Sequence, residues 1–215
     1  MPLKTILIKR LIRAGKSLYE RGFLTASDGN LSVRLNPDEI LITPSGICKG
    51  NLQFNDLILL NPAGEVISGS RLPSSETAMH LFIYQKRPDI HAIIHTHPPY
   101  ATVLSVAGKT LETHILPEAL LSLGTVPLIP YAATGIPEMA LSLADHISHH
   151  DAFLHKNHGL TVLGEDLNEA LMRTETAEHC ARIYYLALQD GNCDLLPAEE
   201  IKRLEQIRKS MKAIK

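Results

Sequence analysis

His95-Thr96-His97 closes a short apolar run that begins at Ile90 in this 215-residue chain. On a β-strand, residues two apart project to the same side, so the two imidazoles would stand next to each other. A catalytic zinc ion is typically held by three protein ligands and keeps one position open, and this pair would supply two of the three. His158 is the leading third ligand, because it follows an apolar strand and precedes Gly159, where the backbone can turn tightly. His155 is its rival, and a continuous strand would put 155 and 158 on opposite faces. Glu76 stands at the start of an expected helix. A carboxylate there could bind a nearby metal or move protons at carbon, although the helix dipole also favours an ordinary glutamate in a first turn.

Three further segments are rich in small polar residues: Ser27-Asp28-Gly29-Asn30, Ser45-Gly46 and Ser74-Ser75. Each offers hydroxyls, amides or accessible backbone N–H groups, and the serine pair opens a helix, where phosphate binds readily. None matches a Walker or dinucleotide-binding loop. Three such segments beside a metal pair point to a phosphorylated small molecule.

The elements that must position these groups can be read from the apolar pattern. Residues 4–21 are predicted as an amphipathic helix stopped by Gly22, and Leu31, Val33 and Leu35 alternate as a half-buried strand. Residues 39–44, 57–60 and 66–67 follow as strands, the last two joined by the turn Asn61-Pro62-Ala63-Gly64. The helix from Ser74 carries Ala78, Leu81, Phe82 and Gln85 and stops at Pro88; a strand at 90–95 and a short helix at 99–107 come next. A helix over 116–123, a proline-bounded edge strand at 126–130 and a helix from Pro137 to about 148 precede two strands that pivot about Asn157-His158-Gly159. Asp166 with Glu169 caps a long helix to Gln189, and a charged helix ends the chain. Strands and helices mix throughout with no linker, so 1–215 is read as one α/β domain with a central, mostly antiparallel sheet flanked by helices.

Composition narrows the function class. A net charge of −2 gives no general attraction to nucleic acid or anionic membrane, so anion binding must be local. No run approaches a membrane span, and Lys9, Arg10 and Arg13 interrupt the N-terminal stretch where a signal peptide would be apolar. Three unpatterned cysteines fit a reducing cytoplasm. Of the eleven histidines, His146, His149 and His150 lie in a polar segment and read as surface residues.

Taken together and in order, GNLSVR, LITPSG, LPSSE, HAIIHTHP and NHGL resemble the class II aldolase/adducin-head family over nearly the whole chain. The resemblance implies a homotetramer with sites at subunit interfaces. It assigns His95, His97 and His158 as ligands to Zn2+, or to Co2+ or Mn2+. Glu76 becomes the catalytic acid/base and reaches the metal only in the substrate-free state. Asn30, Ser45, Gly46, Ser74 and Ser75, with Ser27 a weaker match, form the phosphate pocket. The implied activity is a zinc-dependent aldolase. It would cleave a ketose 1-phosphate, such as L-fuculose 1-phosphate or a 5-deoxy- or 5-methylthio-ribulose 1-phosphate, through an enediolate to dihydroxyacetone phosphate and an aldehyde. Sugar-phosphate dehydratase, decarboxylase and 4-epimerase reactions on the same metal site are the alternatives, as is a non-enzymatic adducin-like interaction module. One departure bears on the choice. Fuculose-phosphate aldolases carry a tyrosine after a histidine like His114, where this chain has Ile115. Glu118 and Tyr131 are the nearby groups considered for that role, and the tail has no tyrosine.

Overall fold

A computed structural model describes residues 3–135 and 137–214. The N-terminal pattern gives helix α1 (Leu3–Glu20), which buries Ile8, Leu11, Ala14 and Leu18. Strands β1 (Asn30–Asn36), β2 (Glu39–Ile42), β3 (Ile58–Leu60) and β4 (Val66–Ser68) follow as antiparallel neighbours. Helix α2 (Thr77–Lys86) then leads into β5 (Ala92–Thr96), which pairs antiparallel with β1. Helices α3 (Pro99–Val106) and α4 (Pro117–Leu123), strand β6 (Leu128–Ile129) and helix α5 (Pro137–Leu141) lead to β7 (Ala152–His155) and β8 (Leu160–Gly164). The long helix α6 (Leu167–Gln189) and the charged helix α7 (Ala198–Ile214) complete the chain.

The eight described strands form one sheet in the order β4-β3-β2-β1-β5-β8-β7-β6, antiparallel except for the β6–β7 edge pair. This is the α/β arrangement expected from the sequence, and the short proline-bounded strand does lie at an edge.

Three sequence expectations differ from the structure. Residues 30–33 do not alternate between buried and exposed, because helices cover both faces of the sheet there and all four are buried. Leu31 and Val33 pack with α1, while Asn30 and Ser32 face α2. Helix α2 begins at Thr77 rather than at Ser74, and it leaves Ala78 and Gln85 exposed. It buries Met79, His80, Ile83 and Tyr84, and two of these four carry polar groups that an apolar-face count overlooks. The helix from Pro137 ends at Leu141 and continues as turns, so it is shorter than expected.

On the face toward α2 and α5, Ile40, Ile93, Phe153 and Leu163 form an apolar layer with Met79, Ile83 and Leu143. The opposite face packs Leu31, Val33, Leu41 and Ile94 on α1, and Leu154, Leu160 and Val162 on α3, α4 and α6. Set into the first face is a row of polar residues from three adjacent strands: Asn30 pairs with His95 across β1–β5, and His95 with Thr161 across β5–β8.

Candidate metal centre and its surroundings

Backbone geometry brings the three histidines to one point. His95 is the penultimate residue of the fully buried β5, and His97 lies just beyond the strand, tied by its N–H to the Phe23 carbonyl at 3.0 Å. His158 sits in the β7–β8 turn, which closes through Asn157 in the left-handed region (φ 57°). A side chain at Gly159 would come within 2.5 Å of the His97 ring and of the Thr96 carbonyl, so only glycine permits this approach. Gly29 is needed in the same way, since a Cβ there would lie 2.7 Å from the His95 carbonyl.

The Nε2 atom of His95 lies 3.1 Å from Nε2 of His97 and 3.3 Å from Nε2 of His158. The three ligating nitrogens fall within 4.8 Å of one another. A tetrahedral zinc ion with Zn–N bonds of about 2.0–2.1 Å would place its nitrogen ligands about 3.3–3.4 Å apart. The donor set therefore fits a divalent cation in both chemistry and spacing. Burial keeps the imidazoles neutral: it lowers His95 well below the usual histidine range, lowers His97 and brings His158 to about 4. Neutral imidazole is the form that ligates metal.

The outer nitrogens show how the rings are held. His95 Nδ1 is 2.9 Å from Thr161 Oγ1, whose oxygen is also 2.8 Å from His155 Nε2. His155 thus reaches His95 through a hydroxyl and lies outside the trio of converging histidines. His97 Nδ1 faces the Asp28 carboxylate at 3.8 Å. Such outer contacts fix ring orientation at metal sites.

Glu76 is buried at the residue just before α2, with Oε1 3.3 Å from His158 Nε2 and Oε2 3.4 Å from His95 Nε2. Burial raises its pKa, while the hydrogen bond from Asn30 and the nearby Lys49 oppose the rise. Asn30 Nδ2 donates to Glu76 Oε2 at 2.7 Å. Lys49 is itself almost fully buried, and its Nζ donates to the Ser27 carbonyl at 2.5 Å, bracing the loop that carries Asp28 and Gly29.

The residues expected to hold phosphate lie in two adjoining loops. Ser45 N–H bonds the Leu72 carbonyl at 3.0 Å and Pro44 bridges antiparallel to Pro73, so Ser45 and Ser74 each follow one side of the same bridge. Ser45, Gly46 and Ser75 are exposed, whereas Ser74 is buried with its hydroxyl accepting from the Glu76 N–H at 3.3 Å. Asn30 is already bonded to Glu76, but its amide nitrogen has a second hydrogen free for an anion. Ser27 is exposed and takes part through its carbonyl.

Glu118 is elsewhere within the subunit, in the first turn of α4, lining a recess with Met172, Met211 and Lys212. Ile115 packs against the apolar cluster of Leu111, Ala119 and Leu123. Tyr131 is exposed in the loop after β6, and Gly135 of that loop approaches Ser75. Sequence reasoning missed His80, Thr161, Lys49 and Asp28. The Glu76, His80 and Tyr84 spacing of one helical turn was the available signal for His80.

Comparison with known proteins agrees with this geometry. The model of the Class II Aldolase and Adducin N-terminal domain matches residues 9–185. A 3-oxo-tetronate 4-phosphate decarboxylase of Haemophilus influenzae is 35% identical over 199 residues, covering 91% of this chain and 94% of its own. An L-fuculose phosphate aldolase of Methanococcus maripaludis is 35% identical over 179 residues, covering 83% of this chain and 96% of its own. The crystal structure of YgbL from Escherichia coli superposes with a TM-score of 0.89 at 34% identity, covering 95% of this chain and 100% of that one.

Proposed function

The chain belongs to the class II aldolase and adducin N-terminal domain family, and from that premise we propose that it is a zinc-dependent lyase of sugar phosphates that decarboxylates a 3-oxo acid phosphate. A cation held by His95, His97 and His158 supplies Lewis acidity, lowering the cost of negative charge on the substrate's carbonyl oxygen. Everything else falls to the chain's own groups. Ser45, Gly46, Ser74 and Ser75, with Asn30 at the inner end, take the phosphate and fix the reacting carbon against Glu76. When the carboxylate leaves as CO2, its bonding pair stays on the carbon next to the carbonyl. Glu76, protonated beforehand, gives its proton to that carbon and is recharged from solvent. The raised pKa of Glu76 supports this donor role. With 3-oxo-tetronate 4-phosphate the product would be dihydroxyacetone phosphate.

The observation that carries decarboxylation over retro-aldol cleavage is the position of Ile115. An aldol cleavage needs a base for the hydroxyl proton on the aldehyde side, whereas loss of CO2 does not. Ile115 offers no such group and packs, partly buried, against an apolar cluster. Retro-aldol cleavage of a ketose 1-phosphate is the second reading. It is favoured by the exposed Tyr131 hydroxyl in the loop beside Ser75 and by the similarity to the fuculose phosphate aldolase. Glu118 could serve it only if a neighbouring subunit of the expected tetramer supplied it.

Both reactions release dihydroxyacetone phosphate, so the test must read the other product. Zinc-loaded protein is given 3-oxo-tetronate 4-phosphate and, separately, a panel of ketose 1-phosphates, with Glu76→Gln as control. CO2 release from the acid, lost in the control, is the expected result. Aldehyde release from a ketose with no CO2 from the acid would replace the first reading with the second. No release from any of them would overturn both.

A further inference from the structure

Behind Glu76, a stripe of helix α2 meets a stripe of strand β1. Glu76, His80 and Tyr84 recur every four residues along the helix, about 6 Å per step. Asn30, Ser32 and Arg34 recur every two along the strand, about 6.7 Å per step. The two repeats stay in step, and the groups interlock as a single file of hydrogen bonds. Asn30 Nδ2 is 2.7 Å from Glu76 Oε2, and Asn30 Oδ1 is 2.5 Å from His80 Nε2. His80 Nδ1 is 2.6 Å from Ser32 Oγ, which is 2.8 Å from the Tyr84 hydroxyl. Arg34 closes the far end, its guanidinium 4.7 Å from the Tyr84 ring centre and bonded to the Tyr84 carbonyl at 2.5 Å. Asn30, Ser32, His80 and Tyr84 are all at most 4% exposed.

Each link fixes the next. Asn30 Nδ2 donates to Glu76 Oε2, so the amide oxygen faces His80. His80 must then carry its proton on Nε2. Its Nδ1 accepts from Ser32, and the Ser32 oxygen accepts from Tyr84. Burial holds His80 neutral, with a pKa of about 3, which leaves Nδ1 free to accept. An amide cannot pass a proton along, so the file orients and does not conduct.

We propose that His80, set by Ser32 and Tyr84, is a positioning residue that locks the Asn30 amide so that Glu76 Oε2 is anchored and Oε1, beside His158, is the oxygen that exchanges a proton with substrate. This rests on reading Glu76 as the proton-moving group, and it goes beyond that reading by assigning the atom and the residues that hold it.

The test has an arm independent of turnover. Nitrogen NMR of the zinc-loaded protein labelled at histidine should show His80 neutral with its proton on Nε2. A proton on Nδ1, or a charged ring, overturns the proposal whether or not any substrate is found. In the second arm, His80→Leu should lower kcat about 10–100-fold, the usual range for losing a supporting contact at such a site. KM should change far less than kcat, since Asn30 is the single phosphate-binding residue disturbed, and bound zinc should be unchanged. His80→Gln, which keeps an N–H for Asn30, should recover most of the loss. Full kcat in folded, zinc-loaded His80→Leu, or a defect shared between kcat and KM, would overturn it. Ser32→Ala repeats the measurement should His80→Leu fail to fold. Wild-type protein that turns over no sugar phosphate refutes the proposed function, and the NMR result then decides the orientation of Asn30 by itself.

Discussion

Strand β7 joins two buried polar clusters that treat a carboxylate in opposite ways. Asp151, 1% exposed, lies at its entry and is met by Arg87 at 3.0 Å, Arg208 at 2.7 Å and Lys212, with Arg173 at 3.7 Å. Burial alone would raise its pKa, but Arg173, Lys212 and Arg87 outweigh burial and hold it well below the usual carboxylate range. At the exit of β7 stands the histidine cluster, where Glu76 is 6% exposed and has its pKa raised. Among the described residues no arginine or lysine bonds Glu76, and the ring nitrogens of three imidazoles converge beside it. Cations of the chain match the first carboxylate, so that cluster is a fastening, holding α7 and α6 to the sheet. In the second, Lys49 is near but bonds the Ser27 carbonyl rather than the carboxylate, which leaves Glu76 and the imidazoles open to a metal ion. The unmatched cluster is where function is to be sought.

The largest expected effects come from breaking each cluster at its centre. His95→Ala should abolish zinc binding at equimolar metal and with it all measurable turnover, as metal analysis and the CO2 assay would show. Turnover surviving without bound metal would end the distinction drawn above. Asp151→Ala strands three arginines and a lysine, and removing one partner of a buried ion pair costs about 3–5 kcal/mol. Urea unfolding should show that loss, while kcat per folded molecule stays near wild type. A large fall in kcat at full folding would mean that the two clusters are coupled.

Much of this could be read in the sequence, and the failures share a cause. His95, His97, His158 and Glu76 were legible because a strand period, a turn and a helix start each leave a local mark. The order of motifs then tied those marks together. The inward face of α2 was not legible because its buried stripe includes His80 and Tyr84, whose side chains bond Asn30 and Ser32 on a strand some fifty residues earlier. Thr161 was invisible for the same reason, since its partners come from β5 and β7. Asp151 reads as one acid in a polar stretch until α7 brings Arg208 and Lys212 back to it. The partner in a long-range polar pair is not written in the local pattern of the chain.

A milder change probes how the metal cluster is supported. Thr161→Val keeps the volume and removes the hydroxyl shared by His95 and His155. Zinc affinity should fall about 10–100-fold, as is usual when a supporting contact to a metal ligand is lost. Competition with a chelator measures it, and an unchanged affinity would show that β5 alone sets the His95 ring.

The smallest effect separates the clusters by pH. His80 and His155 are held neutral by burial, each with a pKa of about 3. In the unfolded chain a histidine binds its proton near pH 6.5. As pH falls below that value the unfolded state takes up protons that the folded state refuses, so stability declines by about 1.4 kcal/mol per pH unit for each such group. Asp151 acts in a lower window. Its depressed pKa stabilises the fold above the ordinary aspartate value of about 3.9 and is lost only as pH drops from there toward its native pKa. Between about pH 6 and pH 4.5, the weakening of chelator-treated protein should therefore come from the imidazoles. His80→Gln should flatten the slope of unfolding free energy against pH by one group's share, and Asp151→Asn should leave it unchanged in that range. A slope that Asp151→Asn flattens and His80→Gln does not would reverse the assignment, making the matched cluster the acid-sensitive one.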